Sequence, residues 1–177
     1  AINTGYNNTL MGESAGTALT TGFGNVIIGR VAGYATTDVD KAVIIGEQAG
    51  YTGNMTSAAD GTVSIGSGAG KNITSGIGNV SVGFGALTSE DTGDFNTAIG
   101  YQALLSQNRD GTVNNTAVGY HAGYDVTTGY GATLIGSLAG HNITEGIENT
   151  IIGNSAGATL TTGDYNTALG VQALATE

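Results

Sequence analysis

Close variants of one nine-residue phrase, Asn-(Thr/Val)-x-(Ile/Val/Leu)-Gly-x-x-Ala-(Gly/Leu), recur ten times in 177 residues, and their spacing decides which folds are open to the chain. The phrase is anchored on Gly12, Gly29, Gly46, Gly66, Gly83, Gly100, Gly119, Gly136, Gly153 and Gly170; seven of the nine intervals are 17 residues, one is 20 and one is 19. At a short fixed period, each repeat is one supersecondary unit that buries its apolar side chains only by stacking on the next. The chain is therefore expected to be all-β, a parallel β-roll or β-solenoid of ten coils of about 17 residues, forming a single repeat domain over 1–177.

With the anchoring glycine numbered zero, position −1 is always apolar (Met11, Ile28, Ile45, Ile65, Val82, Ile99, Val118, Ile135, Ile152, Leu169). Position −3 is always β-branched (Thr9, Val26, Val43, Val63, Val80, Thr97, Thr116, Thr133, Thr150, Thr167), and such residues favour a pleated strand. A short strand is predicted over −3 to −1, with −3 and −1 on one face and −2 on the other. If −3 and −1 fill the coil, the large side chains at −2 (Leu10, Ile27, Ile44, Leu134, Ile151) face outward as a stripe. A contiguous apolar stripe left wet is unusual for a soluble monomer, so these five residues are expected to form an interface in a closed cyclic oligomer.

Position +3 is Ala in all ten repeats, Ala103 among them, and such uniform smallness marks a tightly packed interior turn. Apolar residues recur near +7 (Ile2 by phase, Leu19, Ile73, Val126, Ile143, Leu160). The glycines that follow, as in Thr20-Thr21-Gly22 and Thr161-Thr162-Gly163, read as turns with φ > 0. Asn at −4 opens seven strands (Asn8, Asn25, Asn79, Asn96, Asn115, Asn149, Asn166), and stacked copies are expected to form a hydrogen-bonded amide ladder.

Composition removes most alternatives. With 32 Gly and no Pro, a helical bundle is implausible, since each interior glycine costs a helix about 1 kcal/mol relative to Ala. Low charge and apolar residues placed in register argue against disorder, the glycines lack collagen's every-third spacing, and no run of 18 apolar residues exists to make a membrane-spanning helix. The absence of cysteine excludes disulfides and thiolate chemistry. A net charge of −10 repels phosphates and anionic lipid, so neither nucleic acid nor membrane is an expected partner of this segment. The chain opens at Ala1 without Met or a signal-like segment, which reads as a processed or excised piece. Ala1 and Glu177 fall at nearly the same repeat phase with no visible cap, so the ends are expected to be strand edges that stack on further modules.

At Asn96-Thr-Ala-Ile-Gly-Tyr-Gln-Ala-Leu104, Asn115-Thr-Ala-Val-Gly-Tyr-His-Ala-Gly123 and Asn166-Thr-Ala-Leu-Gly-Val-Gln-Ala-Leu174, the chain resembles the head repeats of YadA-like trimeric autotransporter adhesins. The resemblance covers essentially the whole chain. It implies a left-handed parallel β-roll with three chains wound about one axis, an extracellular location, and adhesion to a host-surface protein or glycan. The longer period, with Thr-Thr-Gly-Asp-Tyr-Asn-Thr between motifs, is also similar to repeat regions of phage tail fibres. The coil is longer than the YadA type, and these residues contain no heptad stalk, neck or membrane-anchor barrel.

Phe84, Tyr101 and Tyr120 occupy +1 of three consecutive repeats and should stack as a column, a candidate surface for carbohydrate or protein. The longer stretches Tyr51 to Gly61 and Leu104 to Asn114 each follow three repeats, as binding loops or as bulges that correct twist. His121 and His141 differ in phase and are not expected to meet. Asp38 with Asp40, and Asp91 with Asp94, read as solvated turn acids rather than cation ligands. No nucleophile elbow or phosphate loop is present, so neither a catalytic site nor a cofactor is expected.

These readings converge on a structural or adhesive module of a trimeric extracellular fibre, on a cell surface or a virion, that presents or spaces a binding surface. The alternatives are a passive spacer stacking end to end and an ice-binding solenoid built on the −3 threonines, which Val26, Val43, Val63 and Val80 interrupt. A polysaccharide lyase on a β-helix would need paired acids in a groove, and the acids here are scattered through turns.

Overall fold

Ten strands of three residues each fall on positions −3 to −1 of the ten repeats. They are β1 (Thr9–Met11), β2 (Val26–Ile28), β3 (Val43–Ile45), β4 (Val63–Ile65), β5 (Val80–Val82), β7 (Thr97–Ile99), β9 (Thr116–Val118), β10 (Thr133–Ile135), β11 (Thr150–Ile152) and β12 (Thr167–Leu169). A computed structural model describes residues 4–175; Ile2 and the end phases of Ala1 and Glu177 lie outside them. The ten strands form one parallel sheet in sequence order, each residue paired with its equivalent one repeat along. At about 4.8 Å per strand the nine turns of this parallel β-solenoid rise roughly 43 Å. A second, two-stranded ladder pairs β6 (Gly93–Asp94) with β8 (Gly111–Thr112). No α-helix occurs among the described residues.

The interior is built from the opposite strand face to the one expected. Ile27, Ile44, Ser64, Ser81, Ala98, Ala117, Leu134 and Ile151, all at −2, have no exposed surface, and Leu10 packs against the same core. Leu10, Ile27, Ile44, Leu134 and Ile151 are therefore core residues and not a trimer interface. Positions −3 and −1 face outward, with Met11 62%, Ile99 39% and Leu169 76% exposed.

The reason lies across the coil, where −2 meets +4. A Cβ on Gly157 would sit 3.1 Å from Ile151 Cγ2, and one on Gly33 would sit 3.2 Å from Ile27 Cγ2. Where −2 is Leu10, Ile27, Ile44, Leu134 or Ile151, +4 is glycine (Gly16, Gly33, Gly50, Gly140, Gly157). Where −2 is Ser81, Ala98 or Ala168, +4 is Leu87, Leu104 or Leu174. The interior has room for one large side chain at this level of each coil, and a second would overpack it. Two coils with a small −2 residue keep glycine at +4; at Gly123 the space is taken by Leu134 and Leu104 of the adjoining coils, whose methyls would lie 2.7 and 2.9 Å from a Cβ.

The +3 alanines are interior as expected, Ala103 and its equivalents from Ala32 to Ala156 being fully buried. Leu19, Ile73, Val126 and Ile143 at +7 complete the core. Gly22 and Gly163 are not in the left-handed region; a Cβ on Gly22 would collide with the backbone carbonyl oxygen of Val39 in the next coil, so close packing, not backbone hand, requires glycine there.

The asparagines at −4 form a ladder of a different kind from an amide stack. Asn115 Oδ1 accepts the N–H of Ala132 in the next coil at 2.8 Å, while its Nδ2 donates to the carbonyl of Gly129 at 2.7 Å. Asn25, Asn79 and Asn149 repeat this pattern, and Asn96 Oδ1 accepts from Asn115 N–H at 3.2 Å. Direct amide-to-amide bonds join Asn25 to Asn8 and Asn166 to Asn149. Asn25, Asn79, Asn96, Asn115 and Asn149 thus bond backbone groups at a buried corner where the sheet ladder stops.

Candidate functional surfaces

The outer face of the main sheet consists of two parallel columns. Position −3 supplies valine or threonine and −1 supplies methionine, isoleucine, valine or leucine, with no charged residue in any of the ten strands. The columns are about 7 Å apart along each strand and run the length of the stack. On a protein with 14 acidic and 4 basic residues, a ten-strand face without a charge is a segregated surface. From Thr97 onward the −3 column is unbroken threonine: Thr97, Thr116, Thr133, Thr150 and Thr167.

The second surface is the aromatic flank that begins just after the repeat glycine. Phe84 stacks on Tyr101 at 5.2 Å between centroids, and Tyr101 on Tyr120 at 5.6 Å, which is the expected column. All three rings remain about half exposed. The column continues sideways, because positions +2 and +5 are neighbours across the turn: His121 lies 3.9 Å from Tyr120 and 4.6 Å from Tyr124, and Tyr124 lies 5.2 Å from His141. The two histidines, expected to stay apart because their phases differ, are in fact 5.8 Å apart. Burial pushes the His121 imidazole below its ordinary pKa, the neighbouring His141 acts in the same direction, and Asp125 opposes both. His121 Nε2 is paired with Gln102 Oε1 at 2.9 Å. Among the described residues no group of three or more His, Cys, Asp or Glu side chains could hold a metal ion.

Two of the four turn acids tie coils together, while among the described residues the Asp38 and Asp91 carboxylates accept only from the hydroxyls of the adjacent Thr37 and Thr92. Asp40 Oδ1 accepts the N–H of Phe23 at 2.9 Å and Asp94 Oδ1 that of Ile77 at 2.8 Å, each bonding one coil back. The two longer stretches also turn inward. Met55 and Ala59 of the first are buried in the core, and Gln107 of the second accepts from Asn115 Nδ2 at 2.7 Å and donates to the carbonyl of Thr127 at 3.0 Å. Between them lies Glu90, fully buried, whose Oε1 accepts the N–H groups of Asp91, Thr92 and Gly93. Burial pushes its carboxyl above the ordinary pKa, with the N–H groups of Gly93, Asp91 and Arg109 pulling the other way.

Beside Phe84 the flank is notched. A cavity of about 240 Å³ opens there, and Gln48, Lys71, Thr88 and Gln102 border it. No protein-family model, curated protein or solved structure matches the chain.

Proposed function

We propose that this chain is a structural and adhesive module of an extracellular fibre in which three copies associate along the outer face of the main sheet. The observation that carries the reading is the charge-free pair of columns at −3 and −1, partly exposed over ten strands in the single chain. Leaving such a face wet forgoes about 25 cal/mol per Å². Closing it against identical faces is the economical solution, because an in-register repeat presents a self-complementary ridge and groove at every step. The number three, the axial arrangement and the location on a cell surface or virion come from the resemblance to trimeric adhesin heads. With the sheet face occupied, the aromatic flank of Phe84, Tyr101 and Tyr120 is left for a host-surface protein or glycan.

A test uses the natural absence of cysteine. Ile99→Cys, in the outward −1 column, should cross-link chain to chain under mild oxidation, whereas Ser137→Cys, at +1 of the turn after β10, should not. Cross-linking of the second variant alone would place the interface elsewhere and overturn the reading.

One observation favours a second reading. With −2 inside, the five successive threonines from Thr97 to Thr167 stand on an open flat face, the kind of array an ice-binding solenoid requires. Thermal hysteresis from a monomeric sample, whose threonine column is uncovered, would select it; its absence from that sample would exclude it.

A further inference from the structure

The notch beside Phe84 is a place where the repeat withholds side chains that its backbone accepts. Position +2 is left-handed throughout: φ is 58° at Gln48, 53° at Gln102 and 52° at His121, all with full side chains. Gly68 and Gly85 occupy two successive rungs of that same column at φ 68° and 62°. A Cβ on Gly68 would meet nothing within 4 Å. Neither glycine is demanded by backbone hand, since residues with side chains adopt the same conformation on both sides of the pair, and at Gly68 packing leaves free space. The consequence of the pair is the cavity.

What surrounds the cavity has a definite chemistry. Phe84 stacks on Tyr101 on one side, and the rung on its other side is Ser67, too small to cover the ring. An aromatic face open beside a cavity accepts the C–H face of a sugar ring, which is apolar on one side and ringed by hydroxyls. The hydroxyls need donors and acceptors at the rim, and the carboxamides of Gln48 and Gln102 stand at the two ends of the glycine pair. Gln102 is held in place through its Oε1 by His121 Nε2. Among the described residues Lys71 is the one charged residue bordering the cavity, with its ammonium 5.9 Å from the Tyr51 ring centroid. Glu47, next to Gln48 in sequence, is already paired with Arg30. The chain's net −10 acts through salt that screens beyond about 8 Å, so Lys71 sets the local sign.

We propose that the notch holds one pyranose residue of an acidic glycan, its C–H face on Phe84, its hydroxyls on Gln48 and Gln102, and its carboxylate toward Lys71. This names a ligand class for the aromatic flank of the fibre reading and rests on that reading for its biological sense, but the site lies within one chain and does not require association.

The test is ligand-observed NMR saturation transfer from the intact chain to methyl pyranosides, neutral and uronate forms side by side. Transfer to the C–H face of the uronate, stronger than to the neutral sugar, is expected. Phe84→Ala and Gly68→Gln should each weaken it about tenfold or more, the second by restoring the side chain the column carries at Gln48 and Gln102. Lys71→Gln should erase the preference for the acid. Thermal melts of the variants within a few degrees of the parent would show that the fold is intact, and Gly85→Ser supplies a second, smaller fill. Absence of transfer from the parent, equal transfer to neutral and acidic sugars, or undiminished transfer in a folded Gly68→Gln would overturn the proposal. The mass of the same sample reports association separately, so a trimer without sugar binding defeats this proposal and leaves the fibre reading standing.

Discussion

A Cβ on Gly29 would lie 2.6 Å from the carbonyl oxygen of Gly46, the equivalent residue one coil along, and Gly29 itself has φ 132°. The repeat glycine is thus required twice, by close approach of stacked backbones and by a conformation that L side chains rarely adopt. Gly29→Ala should destabilise the solenoid by about 2–5 kcal/mol. Gly170 has φ 123° but, among the described residues, nothing within 4 Å of its Cβ position, so Gly170→Ala should cost only the strain, about 1–3 kcal/mol. Denaturant melts of the two variants separate the contributions; equal losses would mean that stacking clearance does not matter.

The exchange of volume between −2 and +4 predicts a rescue. Ile151→Ala alone should cost about 2–4 kcal/mol by leaving a cavity, and Gly157→Leu alone should overpack the same space by about 1–3 kcal/mol. Together they recreate the pairing already present at Ala168 and Leu174 in the next coil. The double variant should regain at least half of the summed loss, measured as a coupling energy in a double-mutant cycle. Additive losses would show that the two positions do not share one space.

Asn115 makes three short bonds from a buried corner, to Ala132 N–H, the Gly129 carbonyl and Gln107 Oε1. Asn115→Ala strands all three partners and should cost about 3 kcal/mol or more. Asn166, in the last described coil, donates through Nδ2 to Asn149 Oδ1 and the Asp164 carbonyl, the latter in an exposed setting. Asn166→Ala should cost about half as much, because water can replace part of what is lost. Chemical denaturation compares them.

Glu90 should give the solenoid a pH dependence whose sign follows from its burial. Its folded pKa is raised above the ordinary value of about 4.5, so the folded state holds the proton more tightly than the unfolded state. The unfolded chain therefore binds fewer protons in this window, and stability falls as pH rises from about 4.5 through the folded pKa. Glu90→Gln keeps an oxygen for the Asp91, Thr92 and Gly93 N–H groups and removes the buried charge. The variant should melt higher than the parent at pH 8 and nearly together with it at pH 4. A parent that is relatively more stable at pH 8 would reverse the sign and refute the assignment.

Strand positions, pairing register, the interior alanines and the Phe84–Tyr101–Tyr120 column were all legible in the period of the repeat, because each follows from spacing alone. Which strand face points inward was not, since −1 and −2 both carry large apolar residues and alternation does not rank them. The deciding signal was present in the residues as the exchange of Ile151 with Gly157 for Ala168 with Leu174, and it requires comparing two positions across repeats rather than each down its own column. The proximity of His121 and His141 was hidden for a related reason: a 17-residue coil folds +2 beside +5, a distance that repeat phase does not report. The notch emerged only with the backbone angles, which show Gly68 and Gly85 to be ordinary rungs without side chains.

The most direct measurement is the solution mass of the intact chain by light scattering on a sizing column. Trimeric association predicts particles of three 17.5 kDa chains, falling to one chain when Ile65, Ile99 and Ile135 of the outward column are changed to lysine. A parent that remains a 17.5 kDa monomer at all concentrations, with the charge-free face open to water, would contradict it.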